Sequence, residues 1–69
     1  MKKRDLELRI KKIALDSGST FYFVGGTKHD KYLVNGKMIL IPRHREINEL
    51  TAKGILDQAR KYAEEGGKN

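Results

Sequence analysis

A histidine with lysines on both sides is the clearest chemical feature of this chain. His29 follows Lys28 and lies two residues before Lys31. Histidine suits general-base catalysis because its ordinary pKa of about 6.5 leaves it mostly neutral at pH 7. Such a base can deprotonate the 2′-hydroxyl of RNA, whose oxygen then attacks the adjacent phosphorus, while lysines stabilise the charge on phosphorus-bound oxygens. The proton for the leaving oxygen would come from Asp30, His44, Lys28 or solvent. An ordinary surface histidine is the alternative.

A second basic group follows fourteen positions after His29. Arg43 and Arg45 are good candidates for bidentate phosphate binding, although they are also compatible with ion pairs to Glu46 or Glu49. Between them, His44 is better suited to contact a phosphate than to act as a second base. The predicted RNA-binding residues are therefore Lys28, Lys31, Arg43, His44 and Arg45.

Composition favours an anionic partner. Fifteen Lys and Arg against nine Asp and Glu give a net charge of +6, and nucleic acid is the commonest partner of such a surface in the cytoplasm. A solvated charge coat is the alternative. With no cysteine and only two histidines, the chain predicts no metal site and no cofactor. The charged start and the lack of a long apolar run predict a soluble cytoplasmic protein without membrane contact.

Two segments have the apolar spacing of amphipathic helices. The first ends near Asp16, with Gly18 able to adopt the left-handed conformation after it. The second begins near Asn48 or Thr51, either of which can cap it, and contains Gly54, which either permits close packing or is simply tolerated. We predict one domain over residues 1–65 and a flexible tail over residues 66–69. The apolar positions of the two helices are Leu6, Ile10, Ile13, Ala14, Leu50, Ile55, Leu56, Ala59, Tyr62 and Ala63.

Three β-rich runs lie between the helices, over residues 20–24, 28–34 and 37–42. Asn35 and Gly36 separate the last two runs and tolerate the positive φ angles of a type I′ turn. The order α-β-β-β-α predicts an α+β fold, a two-layer sandwich with a three-stranded antiparallel sheet and both helices on one face. The other face of the sheet is left open.

A two-residue turn fixes which hairpin side chains share a face. The face expected under the helices contains Tyr32, Val34, Ile39 and Ile41, whereas the open face contains His29, Lys31, Leu33, Met38 and Leu40. Three apolar residues on the open face, Leu33, Met38 and Leu40, predict a protein partner or a homodimer. Tyr22 and Tyr32 are candidates for stacking on bases, but Tyr32 is better placed in the core.

Residues 25–32 (GGTKHDKY) and 41–47 (IPRHREI) give the chain a family resemblance. Together with residues 3–6 (KRDL), the Asn-Gly hairpin and a closing helix over residues 52–60, they resemble the HicA family of messenger-RNA interferase toxins. The resemblance implies a fold like the double-stranded-RNA-binding domain, ribosome-independent cleavage of messenger RNA, and neutralisation by a HicB-type antitoxin. The family's catalytic histidine falls on His29, and Asp30 stands where many members have a second histidine. A non-catalytic RNA-binding module of the same shape is the alternative, and a basic protein-interaction domain is a third.

Overall fold

The computed structural model describes residues 1–67 and has the predicted α+β order. The elements are α1 (Lys3–Asp16), β1 (Phe21–Gly25), β2 (His29–Val34), β3 (Lys37–Pro42) and α2 (Glu49–Gly67). The strands form one antiparallel sheet in the order β1-β2-β3. Helix α2 continues to Gly67, two residues into the predicted tail, and Lys68 and Asn69 lie outside the described residues. Within residues 1–67, neither helix combines the length and the apolar character needed to cross a membrane.

The helix ends follow from local hydrogen bonding. Gly18 has a φ of +72°, and its N–H donates to the Leu15 carbonyl at 3.0 Å. The N–H of Ser19 donates to the Ala14 carbonyl at 2.8 Å, which completes a Schellman motif and confirms the predicted end of α1. At the start of α2, the side-chain oxygen of Asn48 accepts from the Leu50 N–H at 2.8 Å, so Asn48 is the cap.

The β2–β3 hairpin has the predicted turn and register. Asn35 and Gly36 have φ angles of 55° and 77°, as a type I′ turn requires. The pairs run from Val34 opposite Lys37 to His29 opposite Pro42, without a shift. Since side chains alternate between the faces of a sheet, this register confirms the predicted division of the hairpin into two faces.

The core lies between one face of the sheet and the two helices. Hairpin residues on that face are buried together with residues of α1, α2 and the preceding loop. The opposite face carries no helix and leaves Met38 and Leu40 about half exposed, at 49% and 47%. The fully buried large side chains are Leu6, Ile10, Val34, Ile39 and Ile41.

Strand β1 differs from the prediction at its end. It runs one residue further than predicted, to Gly25, and a β-bulge between Phe23 and Gly25 breaks its pairing with β2. Phe23 pairs with Tyr32, whereas Gly25 pairs with Lys31, so Val24 is the extra residue. Gly25 has a φ of +91°, a conformation that glycine adopts without steric cost. The bulge redirects the chain into the loop that leads to His29.

Candidate functional site

His29 lies at the end of the sheet with its side chain exposed. It is the first residue of β2 and pairs with Pro42, the last residue of β3. Lys31 is two positions further along β2 and shares the open face with His29. Within residues 1–67, no side-chain hydrogen bond involves the imidazole of His29. The side chain of His29 is therefore open to a ligand from solvent.

The loop before His29 packs tightly against the backbone of His29. A Cβ atom added at Gly26 would lie 2.1 Å from the carbonyl oxygen of His29 and 3.4 Å from the Cγ of Lys31. Only glycine fits this approach, since the first distance is well inside van der Waals contact. The Gly-Gly pair thus shapes the backbone on which His29 and Lys31 are held.

Replacing Gly26 by alanine is expected to displace this loop from His29. The clash should destabilise the domain by about 1 to 3 kcal/mol, the usual cost of overpacking. Gly54→Ala is the matched control, because nothing lies within 4 Å of a Cβ at this exposed helical position. There the same substitution should stabilise the protein by about 1 kcal/mol through helix propensity. Urea unfolding of the two variants measures both effects, and equal stabilities would contradict the tight approach at Gly26.

Arg43 also holds the β1–β2 loop in place, through contacts with Gly26 and Asp30. Its Nη2 donates to the carbonyl of Gly26, and its Nε donates to Asp30 Oδ1 at 2.9 Å. The guanidinium therefore ties the β1–β2 loop to β2 immediately beside His29. The sequence left Glu46 and Glu49 as possible partners of the arginines, whereas the structure pairs Arg43 with Asp30. The side chain of Arg43 is still 47% exposed, so its phosphate contact stays a prediction.

Asp30 is the centre of a polar network under the end of the sheet. Its Oδ2 accepts from Lys3 Nζ at 2.5 Å, and Lys3 also donates to Glu7 at 3.0 Å. The Tyr32 hydroxyl donates to Glu7 as well. The hydrogen bond from Lys3, helped by Arg43, lowers the pKa of Asp30, and the same bond raises the pKa of Lys3. Asp30 is thus ionised at neutral pH, and both of its oxygens accept hydrogen bonds from Lys3 and Arg43. It is therefore better suited to hold these two side chains in place than to donate a proton.

Tyr32 belongs to the core, so its ring is not available to stack on RNA bases. Its side chain is buried, and the ring stacks on Phe21 with centroids 5.3 Å apart. Burial, followed by the hydrogen bond to Glu7, raises the pKa of the Tyr32 phenol well above its ordinary range. Tyr22, the other predicted stacking residue, is 60% exposed and lies opposite Leu33 on the open face.

Segment 43–47 is held against the start of α1. The Lys3 N–H donates to the Arg45 carbonyl at 2.9 Å, and the Ile47 N–H donates to the Met1 carbonyl at 2.7 Å. Between these bonds, Lys2 and Glu46 form an isolated antiparallel bridge. The backbone pairing brings Arg45 beside the basic residues at the start of the chain.

The remaining predicted RNA-binding residues lie on both sides of the sheet end. Lys28 and His44 are exposed, and Lys31 is half-buried on the open face. In the described part of the chain, no ion pair neutralises Lys28, Lys31 or Arg45. These side chains keep their positive charge available for a ligand. No group of three or more potential metal-binding side chains occurs among residues 1–67.

Comparisons of the chain with protein-family models, with curated proteins and with solved structures gave no match.

Proposed function

We propose that this protein is an endoribonuclease of the HicA type, a toxin that cleaves messenger RNA through His29. The observation that carries the proposal is an exposed histidine at the fixed end of a strand, on the same segment as Lys28 and Lys31, which form no ion pair within residues 1–67. Two features support the proposal, because they fix the backbone around His29. Gly26 packs closely against the His29 carbonyl, and Arg43 donates to the Gly26 carbonyl and to Asp30. Preorganisation of this kind is what a catalytic base needs.

The proposed reaction requires only groups of the chain and the RNA itself. His29 takes the proton of a 2′-hydroxyl, and that oxygen forms a bond to the adjacent phosphorus. The bond from phosphorus to the 5′-oxygen breaks, which leaves a 2′,3′-cyclic phosphate and a 5′-hydroxyl end. A proton from water or from a neighbouring acid completes the leaving group. Lys28 and Lys31 stabilise the negative charge that builds on the phosphorane oxygens.

A non-catalytic RNA-binding module is the second candidate. One observation favours it: no carboxylate or carbonyl within residues 1–67 accepts a hydrogen bond from the imidazole of His29. Catalytic histidines are commonly oriented by such a partner, as in the histidine of a catalytic triad. In this second candidate, His29 is one polar contact among several to the RNA backbone.

A HicB-type antitoxin is the proposed protein partner, seated on the open face. Leu33, Met38 and Leu40 lie on this face with His29, and Tyr22 extends the apolar surface onto β1. A partner that buries these apolar side chains would also cover the histidine. The same surface would serve a homodimer as the alternative. In either complex, the same contact would bury the apolar side chains of the open face and close the site around His29.

Incubation with end-labelled single-stranded RNA in EDTA tests the proposed activity. We expect cleavage without added metal, with 2′,3′-cyclic phosphate ends on the products. The matched substrate is the same sequence with 2′-O-methyl groups, which replace the proton that His29 would remove, so that the 2′-oxygen can no longer attack and the products should disappear. Tight, salt-sensitive binding of both RNAs with no cleavage of either would favour the RNA-binding module.

A further inference from the structure

A basic cavity that is open to solvent lies at the start of α1, on the helix side of the sheet end. Its volume is about 460 Å³, and its lining residues are Lys2, Lys3, Arg4, Glu7 and Arg45. Glu7 and Asp30 neutralise Lys3 through ion pairs. Within residues 1–67, Lys2, Arg4 and Arg45 form no ion pair. The cavity therefore presents three uncompensated cations to one volume, which an anionic group would fill.

The cations of this cavity are held together by backbone pairing. Lys3 donates from its backbone to the Arg45 carbonyl, and the Lys2–Glu46 bridge lies next to that bond. Arg45 is consequently fixed beside the first turn of α1, although the two are about 40 residues apart in sequence. A site whose charges are already gathered loses less entropy when it binds an anion.

An exposed aromatic ring, that of Phe23, contacts Tyr32, whose hydroxyl reaches the cavity. Phe23 is 61% exposed, and its ring centroid is 5.1 Å from that of Tyr32. The hydroxyl of Tyr32 donates to Glu7, which is the acidic wall of the cavity. Phe23 pairs with Tyr32 in the sheet and so shares the helix side with it, away from the face of His29. A stacking surface and a cationic cavity together are typical of sites for single-stranded nucleic acid.

We propose that this cavity binds a phosphodiester of single-stranded RNA, while a neighbouring base stacks on Phe23. The inference rests on RNA as the substrate in the proposed function and adds a second contact region on the helix side of the sheet. Asp30, bonded to Lys3 of the cavity, is adjacent to His29 in β2. An RNA strand that passes around this end of the sheet would contact the cavity before it reaches His29.

Salt-dependent binding of a fluorescein-labelled single-stranded RNA tests the site. All proteins carry His29→Ala, so that binding is measured without cleavage. Arg4→Gln with Arg45→Gln should reduce the slope of log Kd against log salt by about 0.7 for each phosphate that the protein no longer neutralises. The charge-matched control is Lys53→Gln with Lys61→Gln, which removes two exposed cations from α2. Equal slopes for the two double variants, or no RNA binding by the parent, would overturn the site.

Phe23→Leu separates stacking from charge. We expect about tenfold weaker RNA binding with an unchanged salt slope, because leucine cannot stack on a base and every phosphate-binding cation is retained. Unchanged affinity would overturn the stacking interaction. Failure of the proposed enzyme is distinguishable from failure of this site. If the wild type leaves the RNA uncut but binding in the His29→Ala background depends on Arg4 and Arg45, the site is supported and the enzyme is not. If the wild type cleaves the RNA and the slopes of the two double variants are equal, the site is contradicted and the enzyme is not.

Discussion

His29→Ala is expected to slow RNA cleavage by at least about 100-fold, the usual contribution of a general base. The RNA affinity should stay within a few fold of that of the wild type, because the lysines and arginines proposed to contact phosphate are retained. The fold should also be retained, since the side chain is exposed and makes no hydrogen bond within residues 1–67. Single-turnover cleavage of labelled RNA, with binding measured in parallel, gives both quantities.

His44→Ala is the matched control for this experiment. Both histidines are exposed, and both lie next to basic residues near the end of the sheet. Only His29 belongs to a strand, whereas His44 lies in the loop after β3. We expect His44→Ala to weaken binding slightly and to leave the cleavage step within a few fold of wild type. Equal losses in the two variants, or full cleavage by His29→Ala, would remove His29 from the catalytic role.

The hairpin around His29 is predictable because its determinants are local. Asn35 and Gly36 select a type I′ turn, and a two-residue turn leaves one register for the strands on both sides. The alternation of side chains then separates His29 from the buried Tyr32 without any knowledge of the helices. The same reasoning predicts the end of α1, because Gly18 needs only its own φ angle to end the helix.

The surroundings of His29 are not predictable in this way, because they depend on contacts between distant segments. Lys3 reaches Asp30 only after α1 has packed on the sheet, and Arg43 reaches Gly26 only after the β1–β2 loop has closed. In the sequence, Arg43 is one of several equivalent basic residues. Only in the folded chain do two acceptors, the Gly26 carbonyl and the Asp30 carboxylate, lie within reach of its guanidinium donors.

The β-bulge in β1 is a second feature that the sequence pattern conceals. Residues 20–24 are uniformly aromatic and β-branched, so their composition predicts a strand and gives no signal for a shift in pairing. The shift places Gly25 opposite Lys31 and leaves Val24 as the extra residue. The exposed position of Phe23, on which the proposed stacking interaction depends, emerges only from the folded edge strand.

Asp30→Asn is expected to destabilise the domain by about 1 to 2 kcal/mol at neutral pH, because hydrogen bonds to a charged group are removed or weakened. Most of the loss should come from the Lys3 pair, since the side chains of Lys3 and Asp30 are only 20% and 14% exposed. The more exposed Arg43 should contribute less. For a domain of this size, the melting temperature should fall by roughly 5 to 15 °C.

The pH dependence of this difference tests its electrostatic origin. The folded pKa of Asp30 is lowered, so its contribution is fully present above the unfolded pKa of about 3.9 and is lost as the pH falls through the folded value. The pKa of Lys3 is raised, so the contribution persists up to about pH 10 and is lost as the pH rises through the folded value. Wild type and Asp30→Asn should therefore differ most between these limits, converge in acid, and differ less in alkali, where only the Arg43 pair remains. Asp57→Asn, which breaks an exposed pair with Arg60, should change the melting temperature little at any pH. A constant difference between wild type and Asp30→Asn from acid to alkali would mean that packing, not the ion pair, makes Asp30 important.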